Sequence, residues 1–133
     1  MGSNVDILKG LYEAFGRGDV PAVLAVMDDE IEWREPTSLA PTFTDQIGPQ
    51  AVAENVFSQV MELIQDFSVN PEEYIDGGDT VVVLGQYHGK SVKTSAAFDA
   101  RMAHVWHFSA GKATGFETIT DTHAWREAIG LNH

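Results

Sequence analysis

The sequence contains no cysteine, which excludes disulfides, thiolate metal sites and a cysteine nucleophile together. The absence also agrees with a reducing compartment, and a cytoplasmic location is expected. Positive charge is scarce: eight Lys and Arg against 20 Asp and Glu leave a formal charge of −12. A field of that sign repels phosphate backbones and anionic lipid, so neither nucleic acid nor a membrane is expected as a partner. No apolar run nears the roughly 20 residues of a membrane span. Met1-Gly2-Ser3-Asn4 lacks the basic-then-apolar pattern of a signal segment. Internal repeats and low-complexity stretches are missing as well. What remains is a chain of 133 residues, 44% of them apolar, which reads as one domain over 1–133 with enough apolar content for a core or a lined cavity.

Val5, Leu8, Leu11, Tyr12 and Phe15 recur at helical spacing behind Ser3 and Asp6, a capping-box pair, and Gly16 and Gly18 end that helix. Asp19 and Pro21 open a short second helix that carries Val20, Val23, Leu24 and Met27. Ile31 to Glu35 alternates as a strand. Residues 36 to about 49 hold Pro36, Pro41, Gly48 and Pro49 and read as a long, mostly polar loop, expected to gate a pocket mouth as a mobile lid. Val52, Val56, Val60 and Ile64, flanked by Phe57 and Met61, make a third helix. Four strands follow. Asp76-Gly77-Gly78-Asp79 turns Phe67–Ile75 into Thr80–His88, and Ser109-Ala110-Gly111-Lys112 turns Phe98–Phe108 into Ala113–Thr120. A last helix starts near Asp121, carries Trp125 and Ile129, and stops at Gly130.

Helices preceding a run of hairpin-linked strands indicate the α+β class, with a curved antiparallel sheet expected to wrap the helices. The strands are apolar on both faces: Val81 and Val83 alternate with Val82 and Leu84, and Met102, His104 and Trp106 with Ala103 and Val105. A sheet with two apolar faces needs a second cover, and a homodimer through the outer face is expected.

Leu11 to Asp19 resembles the first-helix signature of the nuclear-transport-factor-2-like superfamily, as do Ile31-Glu32-Trp33-Arg34-Glu35-Pro36 and Ile47 to Val52. Ala97 to Ala100, Ala103-His104-Val105-Trp106, Gly111-Lys112 and Thr120-Asp121-Thr122 resemble its SnoaL-like branch, related to ketosteroid isomerases and polyketide cyclases. The resemblance runs from about Val5 to Leu131 and implies a cone-shaped domain (a cystatin-like α+β roll) around a pocket open at one end. Fold of this kind serves many functions, so activity has to be read from site residues.

Glu35 shares a strand face with Ile31 and Trp33, whereas Glu32 and Arg34 point the other way. A carboxylate among apolar groups loses solvation, its pKa rises, and it becomes a proton acceptor near neutrality. The bland alternative is a rim glutamate, solvated or paired with Arg34 or Arg101. By resemblance, the position before Pro36 holds the isomerases' general base, with Glu here for Asp. His104 falls where the resemblance puts an oxyanion-donating protonated Asp; a neutral imidazole can donate likewise. The other donor, a first-helix tyrosine, aligns with Leu11, and the adjacent Tyr12 can turn inward in its place. The alternative for His104 is a core histidine bonded to a neighbour. Tyr12, Phe15, Trp33, Val81, Val83 and Tyr87 are candidates for the pocket lining. Met102, Trp106, Glu117 and Ile119 join them, Glu117 as a second inward carboxylate.

His104 and His107 suggest a metal site, but positions three apart on a strand face opposite ways. His88, His123 and His133 have no ligand-like spacing, so no metal is expected. Nucleophile elbows, phosphate-cradling glycine loops and dinucleotide fingerprints are also missing, and no cofactor is expected. The expected function is cofactor-free acid/base proton transfer on a small apolar carbonyl compound, as an isomerase or cyclase. The alternative is a non-catalytic binder of an apolar small molecule or a dimerisation module. Epoxide hydrolysis of the limonene type requires an acid–Arg–acid set, and the pattern offers no inward Arg.

Overall fold

The computed structural model describes residues 3–131. Ser3 opens helix α1 (Asn4–Gly16): its hydroxyl accepts from the Asp6 amide at 3.1 Å, and the Asp6 carboxylate accepts from the Ser3 amide at 3.4 Å. Leu8, Leu11, Tyr12 and Ala14 form the buried stripe of that helix. Asp19 caps helix α2 (Val20–Leu24) through the Ala22 amide at 3.2 Å. Strand β1 (Met27–Arg34) buries Ile31 and Trp33 and exposes Glu32 and Arg34, as the alternation requires. The third helix is continuous over 49–63 as α3 (Pro49–Val52), a π turn (Ala53–Phe57) and α4 (Ser58–Leu63). Val52, Val56 and Val60 face the core, while Ile64 already opens strand β3.

Strands β3 (Ile64–Asp76), β4 (Thr80–Ser91), β5 (Ala97–Ser109) and β6 (Lys112–Thr120) form an antiparallel meander. With β1 and a short strand β2 (Gln46–Ile47), the sheet order is β2-β1-β6-β5-β4-β3. The expected all-antiparallel sheet is corrected in one place, because β1 runs parallel to β6. The third helix and strands β3 to β5 lie between those two strands in the chain, so no tight turn forces them antiparallel. Helix α5 (Thr122–Ile129), capped by Asp121 on the Ala124 amide at 3.2 Å, packs on β4 and β5 with Trp125, Ala128 and Ile129 buried.

Two expectations about faces fail. Glu117 and Ile119 point outward, Ile119 being 56% exposed, whereas Phe116 and Thr118 are buried. The pairing decides this: Thr118 lies opposite inward His104 and Glu117 opposite outward Val105, and cross-strand partners share a face. The segment between β1 and β2 is less polar in its packing than expected. It forms a 3-10 turn at Thr37–Leu39, and Leu39 and Phe43 are each only 2% exposed. Both side chains reach the cavity lining despite the prolines and polar residues around them. Among the described residues, no helix is long and apolar enough to cross a membrane.

Candidate active site

The concave sheet face, α1, the third helix, the Leu39–Phe43 segment and α5 enclose a cavity of about 70 Å³. Its walls are aromatic: Tyr12 and Phe15 from α1, Trp33 from β1, Phe57, Phe67 and Tyr87, then Trp106, Phe116 and Trp125. The rings interlock, with Trp33 stacked on Phe116 at 3.7 Å between centroids and edge-on to Trp106 at 6.0 Å. The predicted residues Tyr12, Phe15, Trp33, Tyr87, Trp106, Glu35 and His104 all line the cavity. Val81, Val83 and Met102 are buried but lie in the core rather than on the lining. Glu117 and Ile119 belong to the outer face. The lining also holds Leu39, Phe43, Phe67, Phe116, Thr118 and Trp125, which sequence reasoning missed as site residues. Only Trp125 had a local signal, its place on the apolar stripe of a terminal helix.

Glu35 stands just beyond the end of β1 on the face of Trp33. The indole Nε1 of Trp33 donates to Glu35 Oε2 at 2.8 Å, and the Glu35 amide donates to Asp45 Oδ1 at 2.9 Å. Arg34 pairs instead with Glu32 at 3.8 Å and Arg101 with Glu72 at 2.7 Å. Among the described residues, no Lys or Arg lines the cavity. Burial therefore pushes the Glu35 carboxyl up to about 7, against the opposing effect of the Trp33 N–H and with a smaller upward push from Asp45.

His104, 4% exposed, is gripped at both ring nitrogens. The Tyr12 hydroxyl lies 2.7 Å from Nδ1 and the Tyr87 hydroxyl 2.5 Å from Nε2. Trp106 Nε1 donates to the Tyr12 oxygen at 3.0 Å, and Tyr87 meets Thr118 Oγ1 at 3.0 Å. Burial drives His104 down to about 3 and raises both phenols, so imidazole and hydroxyls alike are neutral at physiological pH. Tyr12 accepts from the donor-only indole of Trp106. The relay then runs in one of two directions, with the imidazole proton on Nε2 when Tyr12 donates to Nδ1 and on Nδ1 when Tyr87 donates to Nε2. Among the described residues, no buried side-chain polar atom lacks a partner.

His107 is exposed on the opposite face and meets Thr80 Oγ1 at 3.2 Å. His133 lies outside the described residues. Among those described, no three His, Cys, Asp or Glu side chains group as a metal site.

The family model for the SnoaL-like domain matches residues 8–116. Among solved structures, an NTF2-like protein from Burkholderia thailandensis is 32% identical with a TM-score of 0.90, over 97% of this chain and 98% of that chain. TerC, co-crystallised with polyporic acid, is 27% identical with a TM-score of 0.87, over 96% of this chain and 98% of that one. IdmH from Streptomyces antibioticus, a candidate polyketide cyclase, is 19% identical with a TM-score of 0.80, over 97% and 99%, a likeness of fold alone. No curated protein matches the chain.

Proposed function

The chain belongs to the SnoaL-like domain family, and from that premise we propose that it performs cofactor-free proton transfer on a small, largely apolar carbonyl compound, as an isomerase or cyclase. One observation carries this reading: Glu35 is a cavity carboxylate without a cationic partner, held near a pKa of about 7 by burial. Such a group is ionised often enough to accept a proton at neutral pH and basic enough to remove one. Glu35 takes the proton α to the carbonyl, the electron pair moves onto the carbonyl oxygen, and Glu35 returns the proton to carbon. Glu35 is half-buried, so between the two transfers its proton exchanges with solvent. The likeness to TerC, crystallised with polyporic acid, supports a small organic ligand for this pocket.

The test is deuterium exchange into acetophenone or a panel of small ketones, followed by NMR. Wild-type exchange should rise with pH through about 7, the pKa of Glu35. Glu35→Gln should lose about 10²–10⁴-fold in rate with binding largely retained. Unchanged exchange in Glu35→Gln would leave a non-catalytic binding pocket as the function.

The same reading includes a homodimer through the outer sheet face. Ile75, Val82 and Val105 lie in one cross-strand row there and Leu84, Ala103 and Ile119 in the next. Ile75 and Ile119 are 47% and 56% exposed, and a second copy of the chain would cover this apolar patch.

A further inference from the structure

We infer that the group meeting the substrate oxygen is the Tyr87–Thr118 hydroxyl pair, and that His104 is a positioning residue which holds Tyr87 in place. The inference rests on the carbonyl reading above and assigns its oxygen-binding half. The two donors expected from the sequence, Tyr12 and His104, are bonded to each other at 2.7 Å, and the second ring nitrogen of His104 meets Tyr87.

A proton count shows that one donor is free. Trp106, Tyr12, a neutral His104, Tyr87 and Thr118 hold one polar proton each, five in all, and share four hydrogen bonds. One proton is left over whatever the arrangement. With the Trp106 N–H committed to Tyr12, the surplus sits at one end of the relay, on Tyr12 or on the Tyr87–Thr118 pair. Glu35 acts on Tyr87 and not on Tyr12, and the direction that follows has Tyr12 donating to Nδ1, Nε2–H to Tyr87, and two protons for one mutual bond between Tyr87 and Thr118. Both side chains line the cavity. The charge of Glu35 reaches the Tyr87 phenol and disfavours its ionisation, and the same field draws the positive end of the relay toward the carboxylate. The cavity therefore faces its ligand with a proton acceptor, Glu35, and a neutral hydroxyl donor. That combination fits an uncharged ketone or enone. A carboxylate ligand would find no cation and would meet Glu35.

The experiment is infrared difference spectroscopy of acetophenone labelled at the carbonyl carbon, bound to the full chain. Wild type should move the carbonyl stretch to lower frequency than in hexane. Tyr87→Phe and Thr118→Val, which remove one hydroxyl each, should return the band toward the hexane value, and the Tyr87 change should slow exchange by about 10²-fold. His104→Gln keeps an acceptor and a donor on one side chain and should retain the shifted band, whereas His104→Leu should lose it. Glu35→Gln should lose exchange but keep the shift, so the base and the donor fail separately. A bound band at the hexane value, or no bound band at saturation, overturns the inference. So does a shift that survives Tyr87→Phe and Thr118→Val but disappears in Tyr12→Phe.

Discussion

Glu35 and His104 sit on the same cavity and couple folding to pH with opposite signs. Glu35 binds its proton more tightly folded than unfolded, with a pKa of about 7 against 4.5. Its effect favours the folded chain below pH 4.5, and that advantage is lost as pH rises through 7. A rise of about 2.5 units at about 1.4 kcal/mol each corresponds to roughly 3 kcal/mol of destabilisation at alkaline pH. Glu35→Gln should therefore raise stability by up to about 3 kcal/mol at pH 8 and change it little at pH 4, as read by urea denaturation at the two pH values. His104 is lowered to about 3 from 6.5, so the unfolded chain takes up the proton first. Its contribution is present above pH 6.5 and is lost as pH falls through 3. Below pH 4.5 the Glu35 contribution is constant while that of His104 still changes, and His104→Gln should flatten the acid limb of the stability curve.

At the scale of elements, the inner face of β4 depends on a glycine. Gly85 lies between Val83 and Tyr87, and a Cβ there would collide with the Asn70 carbonyl oxygen and sit 3.0 Å from Met102 Cε. The first obstacle is backbone, in a stretch of β3 whose register shifts between Pro71 and Glu73. Gly85→Ala should cost about 1–3 kcal/mol and, by moving the strand that carries Tyr87, slow exchange as well. The segment between β1 and β2 makes the contrary point. Phe43 packs edge-on against Trp125 with centroids 5.6 Å apart, which joins the segment to α5. Phe43→Ala should cost about 3–5 kcal/mol in thermal or urea unfolding; a freely moving lid would register almost nothing.

For the whole molecule, charge and the outer sheet face set the expectations. A net charge of −12 repels itself in the compact state, so raising ionic strength from about 0.01 M to 0.15 M, which shortens the screening length from about 30 to 8 Å, should stabilise the fold. A melting temperature that falls over that range would contradict this. Light scattering at micromolar concentration should return twice the chain mass. Ile119→Lys, on the outer face and away from the cavity, should convert the protein to monomer with the pocket intact. A clean wild-type monomer would overturn the dimer.

What the sequence determined by itself is local. Ser3 with Asp6, Asp19 and Asp121 are capping signals complete within three residues, and Asp76-Gly77-Gly78-Asp79 is a turn complete within four. The two-residue period of β1 placed Glu35 beside Trp33 before any fold was known, because strand geometry alone puts alternate residues on one face. Tertiary structure decided everything that depends on partners distant in the chain. Phe116 and Ile119 are three apart, so parity within β6 is ambiguous, and only pairing with β5 turned Thr118 inward and Glu117 outward. The parallel β1–β6 contact, the inward Phe43 and the grip of Tyr12 on His104 across 92 positions are of the same kind. A residue pattern records which side chains prefer burial, but which buried groups meet is set only when the chain closes on itself.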